Sequence, residues 1–376
     1  MKRAARRGGG LALFVALHAV LAHALFPVSA VALAPATRVV APDPPRPGRA
    51  TLLFAGDTGA GDAAEPVLAA RGYDHAYRGV VDLTRGADLT IVNLEMPITA
   101  RGAPPVLYKD YVYRARPAAA AALAWAGVGV VGLANNHVID YGDVGLADTL
   151  DLVRGAGLAT VGAGRDEAEA RRGLVVRVGD VRVGLLAFCE RQLLWELWVD
   201  QFARGGRPGA AALTEAALAA DVARLRPQVD VLVVLLHIGY NYGAPEAATI
   251  AWSRRAIELG ADLVVDHHPH VAHPVALHQG RPIALSIGNF AFGTPGHAEL
   301  NEGLLLFAEI EDRRLARIEL QPIDVQNRRV EFQPRPLGGA ALDESLDRLI
   351  RGSRTFGAEL TRVGDRAVLP LPRARP

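Results

Sequence analysis

From Ala50 onward, short apolar runs rich in Val, Ile and Leu alternate with alanine-rich stretches of helical composition. Strands that alternate with helices in this way form βαβ units, in which helices cover a buried sheet. The alternation therefore predicts an α/β fold. Open α/β sheets bind ligands outside the carboxyl ends of their strands, so the residues that follow each strand are the first candidates for a functional site.

Six predicted strands end in residues that can bind a ligand. They are Thr51–Ala55 before Asp57, Leu89–Val92 before Asn93 and Glu95, Val128–Ala134 before Asn135, Asn136 and His137, Val229–Leu236 before His237, Leu263–Val265 before a histidine-rich stretch, and Ile283–Ile287 before Asn289. Each residue has a simpler explanation: Asp57 suits a turn, Glu95 a helix cap and Asn136 an Asx-turn. All of these explanations would have to hold at once, so the set favours one shared site.

The histidine-rich stretch covers residues 263–274 and has the sequence LVVDHHPHVAHP. It contains four of the eleven histidines of the chain, namely His267, His268, His270 and His273. A neutral imidazole carries one donor and one acceptor, so histidines at the end of a buried strand are poor core residues. They are good ligands for Zn, Fe and Mn. A solvated polar loop is the alternative, but the density of histidines favours a metal site.

The composition limits which metal site is possible. The single cysteine, Cys189, excludes a disulfide framework and a cysteine-based zinc site, so the ligands must be His, Asp, Glu or Asn. A bridging carboxylate, neutral imidazoles and an amide oxygen suit two divalent transition metal ions, and these donors indicate Mn, Fe or Zn rather than Ca. Such a pair clamps the attacking and leaving oxygens of a displacement and lowers the pKa of a bound water.

The N-terminus has the pattern of a targeting segment. Basic residues precede an apolar run from Leu11 to about Leu33. This order predicts a signal peptide or a retained membrane anchor over residues 1–34, and the rest of the chain is expected to be exported. Residues 35–50 contain five prolines and are predicted to be a linker. The formal net charge of +1 argues against a nucleic-acid partner.

Six motifs lie at the strand ends: FAGD (54–57), VNLEMPIT (92–99), ANNHVIDYG (134–142), HIGYNY (237–242), DHHPHV (266–271) and SIGNF (286–290). In this order they resemble the CapA capsule and poly-γ-glutamate biosynthesis family, whose fold is that of the calcineurin-like metallophosphoesterases. The resemblance covers roughly residues 51–292 and implies a four-layer α/β/β/α sandwich. It predicts a metallophosphoesterase-like domain over residues 51–325 and a C-terminal extension over residues 326–376.

The resemblance also implies roles for single residues. The metal ligands would be Asp57, Glu95, Asn136, His237, His268 and His270. Asp57 would bind the first ion, Asn136 the second, and Glu95 would take the bridging position. His137 resembles the catalytic histidine of an Asn-His pair, a general acid that protonates the leaving group while Asp140 orients it. Residues expected next to the metals or the substrate are Asn93, Asn241, Asp266, His267 and Asn289.

Three positions depart from the family pattern. Gly59 stands where ordinary phosphoesterases carry the histidine of a D-x-H motif, so the first metal would be one ligand short. Asn241 stands in place of an acidic residue, which removes a charge from the expected substrate side. Asp266 stands in place of glycine and is expected to orient His268 or His270 from outside the metal shell.

Two hypotheses about function follow. The first is an exported metal-dependent hydrolase that cleaves a phosphoester or amide-like bond in a cell-envelope polymer or its precursor. The second is a membrane-tethered accessory protein that helps a polymer synthase or export complex without doing chemistry. The histidine at position 137 and the histidine-rich stretch favour the first, and Gly59 and the N-terminal apolar run favour the second.

The remaining sequence predicts further elements. Two hairpins are expected, at Val175–Val178 with Val181–Ala187 and at Gly303–Glu311 with Arg314–Pro322. A strand is expected at Val330–Pro334, a helix at Ala341–Arg351, and a loose C-terminal end from Arg366 onward. Residues 188–210 are expected to line a substrate groove or to pack on the surface, and Cys189 to act as a small hydrophobic residue. The tyrosines around Lys109 alternate like an edge strand.

Overall fold

The computed structural model describes residues 34–40, 46–104, 111–191, 200–293 and 302–372. The predicted targeting segment lies almost entirely outside these residues, as do Tyr108, Lys109 and part of the loop after Cys189. Within the described ranges, we find no helix that is both long and apolar enough to cross a membrane.

Nineteen strands and nine α-helices are present in the described residues. The strands are β1 Ala36–Val40, β2 Ala50–Gly59, β3 Leu89–Leu94, β4 Val128–Gly132, β5 Ala159–Val161, β6 Ala163–Gly164, β7 Leu174–Val178, β8 Val181–Cys189, β9 Gly209–Ala210, β10 Val231–His237, β11 Leu263–His267, β12 Val275–His278, β13 Arg281–Ala284, β14 Asn289–Phe292, β15 Glu302–Glu311, β16 Arg314–Asp324, β17 Arg335–Pro336, β18 Thr361–Val363 and β19 Arg366–Pro370. The helices are α1 Glu65–Arg71, α2 Val81–Gly86, α3 Ala118–Trp125, α4 Gly142–Gly155, α5 Glu167–Ala170, α6 Glu215–Leu225, α7 Ala247–Leu259, α8 Asn327–Val330 and α9 Gly339–Arg354.

The strands form two large sheets. The first sheet has the order β1-β7-β8-β10-β11-β13-β12, and the second has the order β18-β19-β16-β15-β2-β3-β4-β5, with β14 paired to β2 and β17 to β16. Strands β8, β10, β11 and β13 run parallel in the first sheet, and β14, β2, β3, β4 and β5 run parallel in the second. Parallel strands are covered on both faces, which explains their continuous apolar runs.

Alternate residues of the first sheet face two different cores. Leu235 and Val265 belong to the core between the sheets. Leu235 lies close to β4 of the second sheet, because a Cβ placed at Gly132 would be 3.6 Å from its side chain. Their neighbours Leu236 and Val264 belong to a second core, formed with α6 and α7. On the far side of the second sheet, α3 packs on β4 and α4 on β5. The order helix, sheet, sheet, helix confirms the expected four-layer α/β/β/α sandwich.

Local sequence accounts for several element boundaries. The Thr214 side chain accepts a hydrogen bond from the backbone N–H of Ala217 and caps the start of α6. Helix α9 turns Leu342, Leu346 and Leu349 inward, and their spacing of three to four residues places them on one face. The two predicted hairpins and the predicted helix near residues 341–351 are confirmed.

Three expectations about irregular segments are corrected. The predicted linker contains β1, which pairs in parallel with β7 through the register Ala36 to Leu174. The predicted strand Val330–Pro334 is absent, because α8 ends at Val330 and the backbone then turns through left-handed conformations at Glu331 and Phe332 (φ 50° and 62°). Residues 366–370 are not loose: β19 pairs with β16 and buries alternate side chains.

Candidate metal centre

The carboxyl ends of parallel strands from both sheets meet at one edge of the sandwich, called here the carboxyl edge. The register of the second sheet places Asn93 of β3 and Asn289 of β14 on either side of Asp57. In the first sheet it places His237 of β10 next to His267 of β11. The two sheets thus bring side chains from distant parts of the chain to one buried position.

Glu95 lies at the centre of this cluster, directly after β3. Its Oε1 lies 3.3 Å from His237 Nε2, 3.8 Å from His270 Nε2 and 4.0 Å from His268 Nδ1. Two groups of side chains place their donor atoms within 4.8 Å of one another: Glu95 with His268 and His270, and Glu95 with Asp57 and His237. Glu95 is the member that they share, as expected for a carboxylate that bridges two ions.

Asp57 is fully buried and well bonded. Its Oδ1 accepts a hydrogen bond of 2.7 Å from Asn93 Nδ2, and its Oδ2 accepts one of 3.2 Å from the backbone N–H of His268. Burial alone would raise the pKa of this carboxyl, but bonds from His267 and His270 outweigh it and hold the pKa well below its ordinary value. Asp57 is therefore ionised and can act as a metal ligand.

The loop after β11 has an unusual backbone. His268 and His270 both have positive φ angles, 97° and 59°, a region that non-glycine residues rarely adopt. This conformation stores strain, and such strain is often found at functional sites. It turns both rings toward Glu95, with their centroids 5.9 Å apart.

Hydrogen bonds to one nitrogen of His270 fix which nitrogen faces the cluster. Its Nδ1 lies 2.9 Å from Asn289 Oδ1 and 3.1 Å from Asp57 Oδ2, so it is the donor nitrogen. Nε2 then presents its lone pair on the side of Glu95. A carboxylate or amide behind a metal-binding histidine commonly orients it in this way.

The donor set fits transition metal ions. Two donors bound to one ion at about 2.0–2.2 Å lie on the order of 3–3.5 Å apart, close to the separations around Glu95. Burial, with the charge of His268 next, lowers the pKa of His237 well below its ordinary value. That ring is therefore neutral near pH 7 and keeps a lone pair for a metal. Asn136 Oδ1 lies 2.9 Å from His237 Nε2, which places the sixth expected ligand beside the cluster.

His137 and Asp140 form a buried pair next to the ligands. His137 Nδ1 lies 2.6 Å from Asp140 Oδ2, and the two side chains are 6% and 0% exposed. The carboxylate assigns the proton to Nδ1, as in the expected pair of a general acid and its orienting group. The His137 backbone N–H also donates to Asn135 Oδ1 (3.1 Å), and Asn135 Nδ2 donates to the carbonyl oxygen of Leu94 (2.7 Å).

Of the five residues expected beside the metals or substrate, Asp266 lies elsewhere, and a substrate contact by Asn241 stays a prediction. Asn93, Asn289 and His267 join the cluster, and His267 Nδ1 lies 3.5 Å from Asp57 Oδ1. Asn241 is exposed. Asp266 alternates with His267 along β11 and so points to the opposite face, where its Oδ2 accepts a hydrogen bond of 2.7 Å from Ser253 of α7. The expectation that Asp266 orients a site histidine is therefore wrong.

Asp266 has a different character from the site carboxylates. It is fully buried, and its Oδ1 has no hydrogen-bond partner in the described part of the chain. Burial raises its pKa to about 8, against a smaller lowering from the Ser253 hydrogen bond. Asp266 is thus mostly neutral at pH 7 and does not add charge to the metal cluster.

Met96 occupies the space next to Gly59. A Cβ placed at Gly59 would lie 2.1 Å from Met96 Cε and 2.9 Å from its Sδ. Met96 is itself buried, at 1% exposure. A histidine at position 59 would therefore require the end of the flexible Met96 side chain to move, and this chain lacks that ligand.

Comparison with known proteins identifies the family. Residues 51–294 match the family model described as bacterial capsule synthesis protein PGA_cap, which is more than half of the chain. The chain therefore belongs to this family of bacterial capsule synthesis proteins. The resemblance expected from the six motifs is confirmed, with nearly the same limits.

Curated relatives agree with this assignment. A probable polyglutamine synthesis accessory protein of Mycobacterium tuberculosis is 32% identical over 305 residues, covering 76% of this chain and 78% of the relative. The capsule biosynthesis protein CapA of Bacillus anthracis is 26% identical over 343 residues, covering 89% and 81%. The PGA biosynthesis protein CapA of Bacillus subtilis is 27% identical over 286 residues, covering 76% and 73%.

Proposed function

We propose that this chain is a metal-dependent hydrolase in the synthesis of a capsule-type or polyglutamate polymer. The names of its relatives support the polymer context. The position of Glu95, shared by two groups of potential ligands and close to other buried histidines, is the observation that carries the hydrolase proposal. The bond that it cleaves is a phosphoester or an amide-like bond in the polymer or its precursor.

Six residues would hold the divalent transition metal ions: Asp57, Glu95, Asn136, His237, His268 and His270. When bound, such ions lower the pKa of a water molecule and withdraw charge from the oxygen of the bond under attack. Asn93 and Asn289 hold Asp57 and His270 in the orientation that this requires.

His137 is the general acid of the proposed reaction. Asp140 accepts its Nδ1 proton, which orients the ring and stabilises its charged form. The proton that reaches the leaving oxygen or nitrogen then comes from Nε2. Because His137 and Asp140 are nearly fully buried, water competes little for this proton.

A second function, a non-catalytic accessory protein of a polymer synthase or export complex, is supported by a different observation. Met96 fills the space at Gly59, so the ligand of ordinary phosphoesterases is missing. The relative from M. tuberculosis is itself described as an accessory protein. In either case we propose that the N-terminal segment exports the chain or tethers it to the cell membrane.

Metal content and turnover, measured together, test the proposal. The purified protein would be reconstituted with Mn or Zn, analysed by inductively coupled plasma mass spectrometry, and assayed with bis(p-nitrophenyl) phosphate and with poly-γ-glutamate. We expect two ions per chain in the wild type, a loss in His268→Ala, and retained metal with at least 100-fold lower turnover in His137→Ala. His278→Ala is the matched control, since His278 contacts Glu258 away from the site.

Two results would overturn the hydrolase proposal. Full metal content in His268→Ala would show that the ions bind elsewhere. Two bound ions with no turnover of either compound class would support the accessory protein instead.

A further inference from the structure

Tyr113 packs against the proposed general acid from a distant part of the chain. It lies 27 residues before Asp140 and is 7% exposed. Its ring centroid lies 4.4 Å from that of His137. On another side it meets Phe292 edge-on, with centroids 5.4 Å apart and an interplanar angle of 81°. The imidazole therefore rests on a ring that is itself held in place.

The backbone of Tyr113 is bonded to the orienting carboxylate. Its N–H donates a hydrogen bond of 2.8 Å to Asp140 Oδ2. The same oxygen lies 2.6 Å from His137 Nδ1. Two donors thus converge on one oxygen, so the position of the Tyr113 backbone helps to set the position of Asp140 and of the imidazole bonded to it.

The hydroxyl of Tyr113 is available to a ligand. Among the described residues, no group forms a hydrogen bond with it, although the ring is nearly buried. Burial and the nearby Glu95 carboxylate both raise the pKa of this phenol, with smaller contributions from Tyr242 and Asp62. The hydroxyl therefore keeps its proton, and because the ring lies against His137, it can donate to an electron-rich oxygen of a molecule bound beside His137.

We propose that Tyr113 has two roles in the reaction: it positions His137 and Asp140, and its hydroxyl donates a hydrogen bond to a phosphoryl or carbonyl oxygen of the substrate. This inference rests on the proposed hydrolase function and extends it. The ring and the backbone N–H serve the first role, and the hydroxyl alone serves the second. The two roles are therefore separable by substitution.

Tyr113→Phe and Tyr113→Leu separate the roles, and Tyr111→Phe is the matched control. Tyr111 is 44% exposed and its ring centroid lies 6.2 Å from that of Tyr113, so it shares the neighbourhood but not the contact with His137. The positioning role is measured in the metal-free protein by the Nδ1–H resonance of His137 in histidine labelled with ¹⁵N. The donor role is measured by kcat and KM for bis(p-nitrophenyl) phosphate with Mn bound.

We expect Tyr113→Phe to keep the His137 resonance and to lose about tenfold in kcat/KM, as for one lost hydrogen bond in the transition state. Tyr113→Leu should shift or broaden the resonance and lower kcat by roughly 100-fold, because the general acid is misplaced. Tyr111→Phe should match the wild type in both measurements.

Each role has its own contradicting result. Wild-type kcat/KM in Tyr113→Phe rules out the donor role, and an unchanged resonance in Tyr113→Leu rules out the positioning role. If the wild type has no turnover, the hydrolase proposal fails, but the resonance still decides the positioning role. Calorimetry with inorganic phosphate then decides the donor role, as equal affinity in Tyr113→Phe would contradict it. If the Leu variant lacks the wild-type circular dichroism spectrum, Tyr113→His replaces it under the same criterion.

Discussion

The two ends of the parallel strands both carry buried or half-buried carboxylates, but their partners differ. At the carboxyl edge, Asp57 and Glu95 face imidazoles. At the opposite edge, where the strands begin, Asp88, Asp230 and Asp262 each precede the first residue of a strand and face arginines. We call this second end the amino edge.

Asp262 shows the pattern of the amino edge. Its Oδ2 accepts hydrogen bonds from Arg226 (2.5 Å) and from the backbone N–H of Leu232 (2.8 Å), and its Oδ1 accepts one from Arg281. Asp230 likewise accepts a bond from the backbone N–H of Arg182 (2.7 Å). These carboxylates fasten the starts of neighbouring strands together.

The two edges differ in whether the partner of the carboxylate can offer a lone pair to a metal ion. Arginine stays protonated and has no lone pair to offer, so an arginine–carboxylate pair is complete in itself. Imidazole can be neutral and can offer a lone pair, so carboxylates that face imidazoles remain able to share a cation with them. The residue that faces the carboxylate, more than the carboxylate itself, therefore distinguishes a structural ion pair from a candidate metal site.

The same Asp→Asn change should affect metal binding at the carboxyl edge and not at the amino edge, so Asp57→Asn tests the comparison most directly. We expect it to weaken Mn or Zn affinity by at least 100-fold, since one anionic ligand is lost from a buried site. Isothermal titration with the metal ion measures this. Asp262→Asn is the control and should bind metal like the wild type. Equal metal affinity in the two variants would break the comparison.

Asp266 is paired with neither an arginine nor an imidazole, and its contribution to the free energy of unfolding should depend on pH. Its folded pKa of about 8 exceeds that of the unfolded chain, near 3.9, so the unfolded chain binds fewer protons between these values. The free energy of unfolding of the metal-free wild type should therefore fall from pH 4 to pH 8, by on the order of 5 kcal/mol from this group.

Asp266→Asn removes that titration while keeping a hydrogen-bond acceptor for Ser253. Urea unfolding of both proteins across this pH range, with a chelator present, measures the difference. The two stability curves should diverge as pH rises, with the variant the more stable at pH 8. Parallel curves would show that Asp266 is not the group responsible.

Asp262→Asn should have an intermediate effect on stability. An amide cannot satisfy Arg226, Arg281 and the N–H of Leu232 in the same way, and it removes the charge that pairs with two half-exposed arginines. We expect a loss of about 2 kcal/mol in the free energy of unfolding, measured by urea titration at pH 7. No loss would mean that these carboxylates do not stabilise the strand starts.

Arg182→Met should have the smallest effect. Arg182 is 48% exposed where it pairs with Asp230, so water and salt screen the pair. We expect a change below about 1 kcal/mol that shrinks further in 0.5 M salt. A larger loss, insensitive to salt, would indicate that Arg182 contributes through the packing of its aliphatic stem rather than its charge.

The sequence predicted the carboxyl edge well, for a physical reason. Buried parallel strands are nearly continuous apolar runs, so their ends are visible, and parallel ends must converge. This places Asp57, Glu95, His237 and the histidine-rich stretch together without knowledge of the packing. The orientation of Asp266 was missed because β11 extends to His267, two residues beyond the predicted end at Val265. Alternation along the longer strand turns Asp266 to the helix-covered face.

Other features depend on pairing between distant segments. Strand β1 was obscured by the prolines around it, although its alternating, β-branched sequence ATRVV is a strand signal. Tyr113 reaches His137 only because the chain folds back across the site, and no local pattern marks that contact. Asn135 was named at its strand end but given no role, and its contact with the His137 backbone N–H shows that it holds the general-acid residue in place.

The packing of Met96 against Gly59 has a consequence for the family as a whole. The two positions share one volume, so the residue allowed at one is limited by the residue present at the other. An alignment of relatives should therefore show a paired exchange, in which a side chain at position 59 accompanies a smaller residue at position 96. A chain that gained a histidine at position 59 would have to shift the Met96 side chain or replace it, so the packing at position 96 bears on how readily that ligand can be gained.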